Sequence, residues 1–211
     1  IRMFADMLAM PGLSEEKRLK FAGTISRESQ RLSGLIERLL TFNALDKGKV
    51  VAVRSAVDLT SLLLETLDDQ AAVLAHAGMR LERRFPDGPI VVRSDRDAAK
   101  QALINLLDNA VKYARDGGIV RVALERHGRT ATVRVSDDGP GIPPAARSRI
   151  FEPFVQGGGS ALTDKAPGLG LGLSIARGLL RRAGADLVLI PSDRGAVFDL
   201  RFPLEDESFT P

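Results

Sequence analysis

The chain has 211 residues, 44% hydrophobic and 27% charged, with a formal net charge of +3 and no cysteine. That length holds one large domain or two small ones, and the composition is globular rather than disordered. Disulfides, thiolate metal sites and cysteine nucleophiles are excluded, and the interspersed charges form no dense basic stripe with interleaved aromatics, which argues against a nucleic-acid partner.

Residues 1–10, I-R-M-F-A-D-M-L-A-M, read as the end of a helix that Pro11-Gly12 breaks. A chain opening inside a helix is expected to be a fragment of something longer. It carries no signal-peptide pattern and no apolar run long enough to cross a bilayer, so a soluble cytoplasmic piece is expected. Ser14 is placed to cap a second helix, with Glu15 and Glu16 favourable in its first turn. That helix runs unbroken to about Asp46. Phe21, Ile25, Leu32, Leu35, Leu39 and Phe42 fall at spacings of three and four, with Glu28 the polar member of the seam. The stripe fits a long helix packed on its own domain. It fits better a helical hairpin that dimerises through residues 1–46 into a four-helix bundle, because two helices alone leave much of it in water.

The charged turn Asp46-Lys47-Gly48-Lys49 marks the expected boundary between a domain at 1–47 and another at 48–211. Beyond it the pattern predicts strands at 50–53, 79–85 and 90–92, with a helix at 58–77 capped by Asp58 and ended by Gly78. A helix at 95–114 follows, then a hairpin of strands 119–125 and 130–136. A helix at 168–183 and strands at 186–190 and 196–202 complete the chain. This mixture predicts an α+β architecture. Its second domain would be a two-layer sandwich, with helices on one face of a mixed, mostly antiparallel sheet.

Three patches carry chemistry. In the helix Q-A-L-I-N-L-L-D-N-A-V-K-Y-A (101–114), the apolar set Leu103, Leu106, Leu107, Ala110 and Ala114 falls on one side. Asn105, Asn109 and Lys112 fall together on the other. Amide oxygens are hard neutral ligands suited to Mg²⁺, and a lysine offsets phosphate charge. The same stripe is equally the solvated side of an amphipathic helix. The second patch is Asp137-Asp138-Gly139-Pro140-Gly141. A carboxylate repels triphosphate but accepts hydrogen bonds from an exocyclic amine such as adenine N6; glycine admits close approach and proline stiffens the wall. An ordinary Asp-Gly turn remains the alternative. The third is P-G-L-G-L-G-L-S (167–174), opening a helix, where free N–H groups and the positive dipole end make a phosphate cradle.

In this order the three patches resemble the N box, G1 box and G2 box of the Bergerat-type ATP-binding fold. That fold is shared by histidine kinases, type II topoisomerases, a class of heat-shock chaperones and mismatch-repair ATPases. R-I-F-E-P-F (149–154) resembles the F box of the histidine kinases, and 157–167 resembles their nucleotide lid. The resemblance covers about residues 50–203. The hairpin at 1–46 is similar to the second half of the kinases' dimerisation and phosphoacceptor domain. The resemblance implies a sensor histidine kinase core that binds ATP with Mg²⁺, phosphorylates a histidine and passes the phosphoryl to an aspartate of a response regulator. Asn109 would ligate Mg²⁺, and Asn105 would meet metal or phosphate. Lys112 and Tyr113 would meet phosphate and sugar. Asp137, Gly139, Gly141 and Ile142 would hold adenine. Gly168, Leu169, Gly170, Leu171 and Gly172 would line the phosphate channel, and Phe151 and Phe154 would anchor the lid. The H box is missing. Its histidine is expected about nine residues before Ile1, and inner-membrane anchoring is expected only through segments further upstream. His76 and His127 are expected to be surface residues, not substitutes. The lid arginine of many members is also absent, with Lys165 and Arg147 the available cations. A rival reading keeps the nucleotide but not the kinase, as an ATPase, an anti-sigma-type kinase or a pseudokinase scaffold.

Overall fold

The computed structural model describes residues 1–8, 12–113, 118–155 and 169–204. They divide into two compact units, Ile1–Asn43 and Ala44–Pro211. No described helix is long and apolar enough to cross a membrane.

The first unit is helical. Helix α1 (Arg2–Leu8) meets helix α2 (Glu15–Asp46) where the rings of Phe4 and Phe21 lie 5.5 Å apart. Helix α2 starts directly after Ser14 with Glu15 and Glu16 in its first turn, as the capping pattern predicts. Neither helix buries a single residue within the chain, and Leu32, Ile36, Leu39 and Leu40 each stand about half exposed or more.

The second unit is a two-layer sandwich. Strand β1 (Ser55–Asp58) pairs antiparallel with β3 (Val91–Ser94) as a two-stranded sheet. The main sheet has the order β2-β4-β5-β7-β6, from β2 (Arg80–Arg84), β4 (Ile119–His127), β5 (Thr130–Asp137), β7 (Val197–Pro203) and β6 (Asp186–Ile190). Only the β2–β4 pair is parallel. Helices α3 (Leu59–His76), α4 (Arg96–Tyr113) and α6 (Gly172–Arg182) supply the second layer. Strand residues alternate between faces. Val120, Val122, Val133, Val135, Phe198, Leu200 and Phe202 thus join Leu62, Leu67, Leu103 and Leu107 in one core. The opposite face carries paired charges. Arg134 forks onto the buried carboxylate of Asp199 at 2.7 and 2.9 Å, and Arg121 reaches both Glu82 and Asp138.

Capping is local. Asp58 accepts from the Thr60 N–H at 2.9 Å to start α3, and Asp95 accepts from the N–H groups of Asp97 and Ala98 to start α4. Three expectations need correction. Residues 50–53 form no strand: Val51 and Val53 point into solvent, and the segment's backbone is taken by side chains instead. Arg182 donates to the carbonyls of Leu45 and Val50, Asp95 accepts from the Val53 N–H, and Arg54 donates to the Arg182 carbonyl. Helix α6 begins at Gly172, because the left-handed backbone of Gly170 (φ +68°) cannot continue a helix. A short helix α5 (Pro144–Arg147), absent from the expected elements, follows the Asp-Gly patch.

Candidate functional site

The end of β5 delivers Asp137 to the helix-covered side of the sheet, on the same face as Val133 and Val135. Its Oδ1 accepts from the N–H of Gly139 at 2.9 Å and of Ala196 at 3.2 Å. Burial pushes its carboxyl above the usual carboxylate range, against the lowering pull of those two N–H groups. Among the described residues Oδ2 makes no hydrogen bond. Asp138 differs in its partners. Arg121 holds it with two bonds, 2.7 and 3.2 Å, and that hydrogen-bonded guanidinium depresses its carboxyl. The patch therefore contains two half-buried aspartates, one with a spare carboxylate oxygen and one committed to an ion pair.

The walls around Asp137 are backbone. A side chain at Gly195 (φ +66°) would overlap the Asp137 carbonyl, and a Cβ at Gly141 (φ +74°) would sit 2.9 Å from the Gly195 carbonyl. Gly195 and Ala196 are thus part of the candidate site, although as sequence Gly195 reads only as the end of a turn and Ala196 as the start of the last strand. The signal that was available is a glycine placed immediately before a strand. Ile142, Arg147, Ser192 and Gly195 face one another where these loops meet. Arg147 is not available as a lid cation: its guanidinium donates to the carbonyls of Ile142 and Ser192.

On α4 the polar stripe is not uniformly solvated. Asn105, expected on the side opposite the apolar set, is only 4% exposed. A Cβ added at Gly172, the first residue of α6, would lie 3.5 Å from its Oδ1. Asn109, one turn on, is half-buried, as is Lys112. The Lys112 ammonium donates to the Tyr113 hydroxyl at 2.8 Å and lies 4.6 Å from that ring's centre. The first and third patches therefore converge, with only about a side chain's room between Asn105 and the start of α6 at Gly172.

The third patch is braced by the fourth motif. The Phe154 N–H donates to the Gly170 carbonyl at 3.1 Å, and a Cβ on Gly170 would lie 2.7 Å from the Val155 carbonyl. Phe154 has φ +64°, alone among the described non-glycine residues in being left-handed, and the residue is 59% exposed. Phe151 packs edge-on against Phe198 with the Arg177 guanidinium over its other side. Leu171 is buried in the fold, whereas Leu169 is partly exposed. Gly168, Lys165 and the expected lid at 157–167 lie outside the described residues. His127 pairs with Glu125 on β4, and His76 is exposed at the end of α3, as expected of surface histidines.

Among the described residues no group of three or more His, Cys, Asp or Glu is placed to hold a metal. The donors present, two neutral amides one helical turn apart beside a lysine, suit a small hard cation that brings phosphate and water oxygens with it.

Comparison with known proteins shows the family. The chain is 30% identical over 194 residues to the histidine protein kinase DivJ of Caulobacter vibrioides, covering 88% of this chain and 31% of that one. It is 34% identical over 151 residues to the sensor histidine kinase CpxA of Escherichia coli, covering 72% and 32% respectively. It thus spans about a third of the length of these relatives. Among solved structures, full-length ShkA in complex with AMPPNP superposes with a TM-score of 0.74 at 29% identity, over 90% of this chain and 39% of that one. Residues 94–206 match the profile described as Histidine kinase-, DNA gyrase B-, and HSP90-like ATPase, and the chain belongs to that family, among its sensor histidine kinases.

Proposed function

We propose that the chain is the ATP-binding catalytic part of a sensor histidine kinase, working on Mg-ATP. The observation that supports this most is the Asp137 carboxylate, pinned through Oδ1 by two backbone N–H groups with Oδ2 left to accept from a base amine. Adenine would lie against Gly139 and Gly141, with Ile142 beside it. The triphosphate would run toward Gly170 and Gly172, where α6 begins and its free N–H groups favour anions. Asn105 and Asn109 would hold Mg²⁺ through their amide oxygens, and Lys112 and Tyr113 would meet phosphate and sugar. When bound, Mg²⁺ neutralises charge on the phosphate oxygens.

The protein's own part is positioning and charge neutralisation, since phosphoryl transfer leaves little covalent chemistry for side chains. Asp137 fixes the base, the start of α6 orients the phosphates, and Lys112 offsets their charge. The phosphoryl passes to a histidine and from it to a response-regulator aspartate. Neither histidine of this sequence lies on the hairpin, so the acceptor of this reading is a histidine outside residues 1–211. The hairpin serves as the homodimer interface. Its half-exposed leucines support this, because a bundle of four helices would cover them.

Calorimetric titration of the chain with ATP, with and without Mg²⁺, tests the reading. Saturable binding strengthened by the metal is expected; no binding refutes it. Binding without phosphoryl transfer, in a longer chain that carries the acceptor histidine, would leave only a nucleotide-binding module.

A further inference from the structure

Two loops meet around Asp137: residues 139–143 after β5, and the 191–196 turn between β6 and β7. Asp137 Oδ1 takes one backbone N–H from each, Gly139 and Ala196. Arg147 on α5 does the converse. Its Nε donates to the Ile142 carbonyl at 2.9 Å and its Nη2 to the Ser192 carbonyl at 3.3 Å. The two loops are thus tied twice, once by an acid that collects their donors and once by a base that supplies their acceptors. Between the ties the backbones of Gly141 and Gly195 approach too closely for a side chain. A guanidinium suits the second tie because its planar fork offers two donors in fixed directions, which an ammonium on a flexible stem does not.

We propose that Arg147 is a positioning residue for nucleobase recognition. It touches no ligand. It holds the two loops at the separation at which they pin Oδ1 of Asp137 and leave Oδ2 facing the base. The proposal rests on the adenine-reading role given to Asp137 above. It assigns to a half-buried arginine, which the sequence offers only as a cation near the lid, control over base selectivity.

The experiment measures affinities for Mg-ATP and Mg-ITP by calorimetry, because inosine carries a carbonyl where adenine carries the amine. The chain is compared with Arg147→Ala, Arg147→Lys and Asp137→Asn. Arg147→Ala is expected to weaken ATP by about tenfold, the loss of roughly one good hydrogen bond, with ITP nearly unchanged, so that the ATP/ITP ratio falls. Arg147→Lys, able to reach one carbonyl at a time, should fall between. A purely structural arginine would weaken both nucleotides together. An unchanged ratio in Arg147→Ala overturns the proposal; should that variant not fold, a wild-type ratio in Arg147→Lys does so. Asp137→Asn separates the two readings. If it keeps the ratio, the adenine role itself fails. If it loses the ratio while the Arg147 variants keep it, only the positioning role fails.

Discussion

Gly195→Ala puts the backbone wall of the base site to a quantitative test. Two costs are expected. An L-residue held at φ +66° costs about 1–2 kcal/mol, and the new methyl would overlap the Asp137 carbonyl, so the turn must move. Forcing extra volume into a packed site costs about 1–3 kcal/mol. Gly128→Ala provides the reference, because Gly128 has φ +55° with nothing within 4 Å of its would-be Cβ. It bears the conformational cost alone, and both variants share the entropy gained by removing a glycine from the unfolded chain. The difference between them isolates the clash. For a unit of this size about 1 kcal/mol moves the midpoint by about 2–4 °C. Gly195→Ala should therefore melt roughly 2–12 °C below Gly128→Ala in thermal unfolding followed by circular dichroism. It should also lose ATP affinity in calorimetry, because shifting Ala196 removes one of the two donors to Asp137. Equal midpoints, or full ATP affinity in Gly195→Ala, would refute the claim that this turn is the wall of the site.

Burial raises the Asp137 carboxyl, so ATP affinity should fall as pH drops through that raised range, and Asp137→Asn, titrated alongside, should lack this step. A raised folded-state value contributes stability that is full below the unfolded value and lost as pH rises through the folded one. Asp137→Asn should accordingly melt no lower than the parent at neutral pH while binding ATP about tenfold to a hundredfold more weakly; a large drop in midpoint would contradict this. Asn109→Ala should slow phosphoryl transfer by about a hundredfold or more in a chain carrying the acceptor histidine, with a smaller loss in ATP binding; full activity would move the metal site elsewhere. The chain should scatter light as a dimer at micromolar concentration and Leu32→Glu with Leu39→Glu as a monomer, whereas a monomeric parent would count against the bundle.

Most of the sandwich was legible because its signals are local. Asp58 and Asp95 cap helices where polar residues precede apolar periodicity, and the 119–136 hairpin turns where Gly128 interrupts two alternating runs. The misplaced strand at 50–53 shows where local signals stop. Its valine-rich run resembles a strand's, but the groups that hold the segment lie on Asp95 and Arg182, far away in sequence. The burial of Asn105 was hidden for the same reason, since helical periodicity places a residue on a face without saying which neighbour covers it. Asp137 and the glycines around it stood out through composition. Arg147 and Gly195 did not, because their roles consist of contacts with backbone carbonyls, which leave no trace in side-chain pattern.

The tether of residues 45–54 rests on Arg54 and Arg182, each donating to main-chain oxygens, with Asp95 as the lone acid involved. The main-chain oxygens that these guanidinium groups hold carry no ionisable proton. Protonation of Asp137 therefore leaves the oxygens under these two arginines unchanged, so the proposed grip on the base and the fastening of residues 45–54 answer to acid independently.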